Sequence, residues 1–166
     1  MEKKFELTDN FVINAFGIKL FQIKCTKAFK YANEGDLGGY VKKEDNLSQS
    51  GDAWVSGDAQ VSGNARVYGD AWVSGDAWVS GDARVYGDAR VENNHMHCGF
   101  DCFGSCNRHT HAYKTKGNKV EITCGCFRGS LEEFEKKVEE THKGTIYEKQ
   151  YKAIINLIKI KFGIDG

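Results

Sequence analysis

The chain has 166 residues and carries 23 acidic and 23 basic side chains, so its formal net charge is zero. A chain of this length folds as one compact unit or two small ones, and zero net charge provides no long-range attraction to nucleic acid or to an anionic membrane. No apolar stretch approaches the roughly 20 residues of a membrane span and no secretory leader pattern opens the chain, so we expect a cytoplasmic protein with no membrane partner.

The first predicted element is an N-terminal β cap over residues 1–36. Apolar and polar residues alternate over 5–7, 11–14 and 18–25, which is typical of half-buried strands. The turn sequence Asn14-Ala-Phe-Gly17 lies between the second and third of these segments and favours a hairpin. We expect this hairpin to block the open strand edge of the structure that follows it.

Residues 51–92 form a run of hexapeptides that each begin with Gly-Asp or Gly-Asn. The blocks 51–68 and 69–86 differ at only two positions, so a period of six is nested in a period of 18. Three six-residue sides close one coil before the next begins, which predicts a left-handed, three-sided parallel β-helix over 37–92. Glycine supplies positive φ at the corners, while Ala and Val, two residues apart, point toward the axis.

Registering the coils by 18 residues places the outward side chains in three ladders. Trp, Tyr and Arg are the residues most enriched at binding hot spots, and exposed tryptophan is uncommon on an inert surface. We therefore predict that at least one ladder binds a partner; the alternative is that the ladders only stabilise the coil or are covered by flanking segments. The first ladder comprises Trp54, Trp72 and Arg90, the second Gln60 and Trp78, and the third Arg66 and Arg84 flanked by Tyr68 and Tyr86.

After residue 92 the repeat stops, and a ββαα domain is predicted over 93–166. Alternation around a Lys-Gly-Asn turn indicates two strands, and Ser130 with Glu133 forms a capping box that starts a helix. Apolar residues at helical spacing then indicate a second, amphipathic helix that Gly163 ends. The predicted elements are strands over 109–113 and 120–124, a helix from 131 to near 142, and a helix over about 147–162.

Five of the six cysteines and four of the five histidines lie between residues 95 and 126. Thiolate and imidazole are the ligands that zinc prefers, although paired Cys-x-x-Cys spacings are missing. We expect no cofactor, and a structural zinc site is the alternative. Its candidate ligands are Cys98, Cys102, Cys106, His109, Cys124 and Cys126. A catalytic alternative pairs Cys126 with His111 or His142 and uses Arg108 to clamp an anion, but no third orienting group is evident, so we do not expect an enzyme.

The hexapeptide run resembles the left-handed β-helix of the hexapeptide-repeat acyltransferases. Members of that family carry a catalytic histidine on a coil or on a loop extruded from one. No histidine precedes His95 in this chain, and no loop interrupts residues 51–92. The resemblance therefore implies the architecture without acyl transfer.

A second resemblance covers nearly the whole chain. Residues 20–23 and 35–48, followed by the GDAxVxGDAxV coils, are similar to small β-helical proteins encoded by bacteriophages and other mobile elements. The segment 123–134 with Thr141-His142 resembles a small domain that recurs in such phage proteins. The positions that carry this match are Gly125, Cys126, Phe127, Gly129, Leu131, Phe134 and His142. The resemblance implies inhibition of host defence, as by the anti-CRISPR proteins that bind the surface of an effector.

We therefore expect a non-catalytic binding protein that acts in the bacterial cytosol. Its expected partner is a bacterial immune effector, with a CRISPR nuclease as the first candidate. We expect it to inhibit this effector by protein–protein contact. Nucleic acid is not expected as a direct partner. Two alternatives stay open: a homo-oligomeric structural β-helix protein, and an enzyme that uses the C-terminal Cys/His cluster.

Overall fold

A computed structural model describes residues 2–164, which divide into two compact units between Asn94 and His95. The strands of the first unit are β1 (Phe5–Ile13), β2 (Lys19–Cys25), β3 (Leu37–Val41), β4 (Trp54–Val55), β5 (Gln60–Val61), β6 (Arg66–Val67), β7 (Trp72–Val73), β8 (Trp78–Val79), β9 (Arg84–Val85) and β10 (Arg90–Val91), with a 3₁₀ turn at Glu44–Asn46. The second unit contains β11 (His97–Phe103), β12 (Arg108–Lys114), β13 (Val120–Cys124), β14 (Phe127–Ser130), α1 (Leu131–His142) and α2 (Ile146–Phe162). The division of the first unit at residue 36 stays a prediction.

The repeat of the first unit is a short β-solenoid whose short strands pair in parallel with the strand 18 residues further along. Trp54 lies beside Trp72, Gln60 beside Trp78 and Arg66 beside Arg84. The result is three parallel ladders, built by β4, β7 and β10, by β5 and β8, and by β6 and β9. The predicted stacking register is therefore confirmed.

The solenoid core consists of the alternating Ala and Val side chains that the repeat places inside. Every Ala and Val from Ala53 to Val91 is at most 2 % exposed. Each corner glycine has a positive φ, for example 61° at Gly75, where an added Cβ would clash with the carbonyl oxygen of Glu92. Other residues are strained in this backbone conformation, so the glycine period determines where the chain turns.

The N-terminal segments satisfy the carbonyl groups at the first edge of the solenoid. The β1–β2 hairpin pairs with β3, and β3 continues in parallel onto β5, where the amides of Tyr40 and Lys42 donate to the carbonyl oxygens of Ala59 and Val61. Pairing between strands therefore accounts for one of the three sides, and a parallel bridge between Leu47 and Val67, in which the Ser48 amide donates to the Val67 carbonyl oxygen, contributes to a second.

Two buried side chains, Lys4 and Asn46, donate hydrogen bonds to carbonyl groups at the edge of the other two sides. The Lys4 ammonium donates to the carbonyl oxygens of Gly51 and Ala53, and burial lowers the pKa of Lys4 to about 8 despite the opposing effect of the Asp52 carboxylate. The Asn46 amide donates to the carbonyl oxygens of residues 63 and 65. These contacts pair backbone acceptors that would otherwise be exposed at the edge.

The second unit is an antiparallel sheet in the order β11-β12-β13-β14, followed by the two helices. The helices bury Leu131, Phe134, Val138, Ile154 and Ile158 in a common core with one face of the sheet. No helix within residues 2–164 has both the length and the apolar character needed to cross a membrane.

The prediction for the second unit was incomplete in its strands and correct in its helices. The outer strands β11 and β14 were missed, because β11 is interrupted by a bulge and contains cysteines that were considered as metal ligands, and β14 has only four residues. The capping box is present, since the Ser130 side chain accepts from the amide of Glu133 and the Glu133 side chain accepts from the amide of Ser130. Gly163, with a φ of 63°, caps α2 as predicted.

Candidate functional site

The first ladder is stacked as predicted but is not an open surface. Trp54 lies beside Trp72, which lies beside Arg90. The Trp54 side chain is only 2 % exposed, because the ring of Phe29 packs against it at a centroid distance of 5.3 Å. The ring of Tyr31 stacks on Trp72 at 5.2 Å. The prediction that Trp54 is accessible to a partner was therefore wrong.

Polar contacts hold this covering segment, residues 26–33, on the first ladder. The Lys30 ammonium lies 2.7 Å from a carboxylate oxygen of Asp70, and its hydrogen bond lowers the pKa of that carboxyl group. The Arg90 guanidinium donates to the hydroxyl oxygen of Tyr31. Arg90 thus binds the protein's own N-terminal segment. The first ladder is therefore covered by a flanking segment, which was the alternative to partner binding.

The second ladder, by contrast, includes exposed apolar side chains. Trp78 is 38 % exposed, and the ring of Phe16 meets it edge to face at 6.1 Å. Phe16 is 77 % exposed at the tip of the β1–β2 hairpin, and Phe11 and Ile13 are also exposed on β1. The neighbouring Gln60 is half-buried, and its Oε1 atom finds no hydrogen-bond partner within residues 2–164. Phe11 pairs with Phe21, and Phe21 pairs with the inward Val41, so Phe11 and Ile13 lie on the opposite sheet face from Trp78. We call Phe16 and Trp78 the hairpin surface.

The sequence placed Trp78 in a ladder, but Phe16, the other member of the hairpin surface, was missed. An aromatic side chain inside the tight turn, Phe16, was the available signal, because a turn tip has no core to enter. The contact between Phe16 and Trp78 joins residues that are 62 positions apart, and no local pattern predicts it.

The third ladder places two arginines beside each other. Arg66 lies beside Arg84, and both are exposed. The rings of Tyr68 and Tyr86 pack at a centroid distance of 4.4 Å with a tilt of 39°. The stacking is as predicted, whereas partner binding by this ladder stays a prediction.

The cysteine–histidine cluster does not form a metal site, because strand alternation separates its members. Cys98 pairs with Ala112, and Cys124 with Thr110, so both thiols face the helices. His109 directly precedes Thr110 on β12 and therefore faces the opposite side of the sheet. Within residues 2–164, no three His, Cys, Asp or Glu side chains are placed so that they could hold a metal ion.

The remaining candidate ligands are also dispersed. Cys102 is exposed at the bulge of β11, Cys106 in the β11–β12 turn, and Cys126 in the β13–β14 turn. The expectation that Cys98, Cys102, Cys106, His109, Cys124 and Cys126 contribute ligands to one zinc site is therefore not met by their geometry. The density of these residues in the sequence carried no information about the face on which each would lie.

The histidines instead form hydrogen bonds to one another and to a carboxylate. Nδ1 of His97 lies 2.9 Å from Nε2 of His111, and Nδ1 of His109 lies 2.5 Å from the Asp101 carboxylate. Nε2 of His109 is buried and has no hydrogen-bond partner in the described part of the chain, where it packs over Gly99. Asp101 was not singled out from the sequence, and no spacing rule would have found it.

For the catalytic alternative, the structure separates the two suggested histidines. Cys126 and His142 line the same small cavity of the second unit, whereas His111 lies on the sheet face away from the helices. His142 stacks on Tyr151 at a ring-centroid distance of 5.4 Å. The histidine that shares a cavity with Cys126 is therefore engaged in aromatic packing.

Comparison with known proteins gives one partial match. A family described as the YdcK beta solenoid repeat matches residues 59–75 and 83–95, which lie within the solenoid and just after it. The match agrees with the β-solenoid architecture of this region. Compared with curated protein sequences, the chain matches none.

Proposed function

We propose that the protein acts by binding another protein through the hairpin surface. The observation that carries this proposal is the contact between Phe16, which is 77 % exposed, and Trp78, which is 38 % exposed. Two large aromatic side chains in contact and both exposed are uncommon on an inert surface, and such apolar surfaces commonly mark interaction sites. Aromatic anchors of this type contribute most of the free energy at protein interfaces.

The charge of the hairpin tip favours a protein partner over nucleic acid. Between residues 10 and 23, Lys19 is the one ionisable side chain. Its ammonium lies 4.0 Å from the ring centroid of Phe11 and 4.9 Å from that of Phe21. A surface with one cation and several aromatic rings lacks the row of basic groups that phosphate backbones require. The hairpin surface suits a partner that presents apolar side chains.

We propose that the partner is a bacterial immune effector, with a CRISPR nuclease as the first candidate. The support is the resemblance of residues 20–23, 35–48 and 123–142 to small proteins of phages and other mobile elements. Inhibition would be stoichiometric, with the rigid solenoid holding the hairpin surface against the effector. Such a mechanism requires an interface of ordinary size and no turnover.

The finer architecture belongs to the same proposal. We infer a left-handed coil of hexapeptide repeats, which the nested periods of six and 18 and the corner glycines support. A crystal structure tests the hand directly, and a right-handed coil would overturn this inference.

A plaque assay tests the proposed function. Bacterial strains that each carry a different CRISPR nuclease are challenged with a targeted phage, with and without the protein. We expect plaque formation to be restored in at least one strain. The double variant Phe16→Ser/Trp78→Ser should lose this protection, whereas Ile160→Ser should keep it, because Ile160 is equally exposed but lies on α2.

Binding measured with the purified effector then separates occlusion from indirect effects. Loss of two aromatic anchors should raise the Kd by about 30-fold or more, which corresponds to roughly 2 kcal/mol. Protection in none of the strains, or full protection by the double variant, would refute the proposal. Light scattering at low micromolar concentration measures self-association. If the protein is a dimer and Phe16→Ser/Trp78→Ser makes it a monomer, the hairpin surface binds a second copy of the chain instead.

A further inference from the structure

The second unit contains a cavity between α1, α2 and the β13–β14 turn, with a volume of about 150 Å³. Its apolar walls include Phe127, Phe134 and Tyr151. The rings of Phe127 and Phe134 are 5.2 Å apart, and Tyr151 meets Phe134 edge to face at 5.6 Å. An apolar cavity of about 150 Å³ holds one benzene ring. The cavity therefore fits a single aromatic ring rather than a drug-sized molecule.

The ionisable nitrogen groups at this cavity belong to Arg108, Lys137 and His142, and no Asp or Glu lines it. Arg108 and Lys137 are exposed, and no ion pair within residues 2–164 involves either of them. Burial raises the pKa of the Tyr151 phenol, so this side chain stays neutral in the wall. The cavity thus combines an apolar interior with a cationic mouth.

Two glycines leave room for the groups that shape the cavity. Gly125 has a φ of 59°, and an added Cβ would lie 2.6 Å from a guanidinium nitrogen of Arg108. A Cβ at Gly104 would clash with the hydroxyl group of Tyr151 in the same way. Because neither residue has a Cβ, the Arg108 guanidinium at the mouth and the Tyr151 ring in the wall have the space that they occupy.

We propose that this cavity binds a small aromatic carboxylate, with the ring against Phe127, Phe134 and Tyr151 and the carboxylate at Arg108 and Lys137. The apolar walls select the ring by removing it from water. The two cations select the charge, since guanidinium and ammonium groups donate charge-assisted hydrogen bonds to carboxylates. The site lies within the second unit, so this proposal does not depend on protein binding by the hairpin surface.

Titration of the ¹⁵N-labelled full-length protein tests the site with sodium benzoate as the probe. We expect saturable shifts of the backbone amides of Cys126, Phe127 and Thr141, with a Kd of about 1 mM or below for a ligand of this size. Benzyl alcohol is the neutral control and acetate the control without a ring. Both should bind at least about tenfold more weakly.

Substitutions at the mouth test the assignment of the charge. Arg108→Gln/Lys137→Gln should weaken benzoate binding by about tenfold and leave benzyl alcohol binding unchanged. Lys136→Gln is the matched control, because Lys136 is exposed on the same helix but does not line the cavity. The proposal is overturned if benzoate gives no saturable shift at roughly 10 mM, if benzyl alcohol binds as tightly, or if the double variant binds like Lys136→Gln.

Discussion

The three tryptophans of the solenoid occupy equivalent positions of the repeat but differ in burial, which allows one substitution to be compared in three environments. Trp54 is 2 % exposed and packs against Phe29, whereas Trp78 is 38 % exposed. Trp72 lies between these extremes, and its indole nitrogen donates to the hydroxyl oxygen of Ser56 at 2.8 Å. Replacement by alanine should therefore have a graded effect on the free energy of unfolding.

The magnitudes follow from the burial of each ring. A tryptophan side chain that is removed from water buries about 200 Å², which at about 25 cal/mol per Å² corresponds to roughly 5 kcal/mol. Trp54→Ala should lose most of this, about 4 kcal/mol, because Phe29 and the coil leave a cavity that collapses only in part. Trp78→Ala should lose about 1–2 kcal/mol, since water fills the vacated surface without leaving a void. Trp72→Ala should fall between the two.

Urea unfolding followed by tryptophan fluorescence measures these differences. All three tryptophans lie in the first unit, so the two that remain in each variant report on that unit alone. A conservative control, Trp54→Phe, keeps an aromatic ring under Phe29 and should recover part of the stability. Equal losses for Trp54→Ala and Trp78→Ala would refute the view that residues 26–33 bury the first ladder.

Three further predictions concern side chains that pair backbone groups. The folded-state pKa of Lys4, about 8, lies below its unfolded value of 10.5, so the unfolded chain binds more protons between these values; the stability of the wild type relative to Lys4→Met should rise from pH 8 to 10.5 in urea titrations. Asn46→Leu leaves two buried carbonyl groups and the amide of Lys43 unpaired, and should cost about 3 kcal/mol in the same assay. Ser130→Ala removes the N-cap of α1 and should cost about 1 kcal/mol by thermal unfolding followed by circular dichroism, whereas Ser130→Asp should retain the stability.

The sequence alone determined the register of the solenoid and the ends of the helices. Each six-residue side repeats the same glycine corner and the same inward Ala and Val, so a shift of register would move these groups to the wrong positions. The Ser130–Glu133 capping box and Gly163 act through neighbouring backbone groups only. Such features depend on local backbone geometry and on repetition, and both can be inferred from a single sequence.

Only the tertiary structure decided which outward ladder is covered and where the cysteines and histidines lie. Phe29 reaches Trp54 and Tyr31 reaches Trp72 across 25 and 41 residues of chain, through contacts that no repeat encodes. In the second unit, the pairing of β12 with its neighbours places Cys124 toward the helices and His109 away from them. The physical reason is the same in both cases. Exposure and ligand geometry depend on the face that a side chain presents to distant segments, and residue spacing along the chain does not specify those segments.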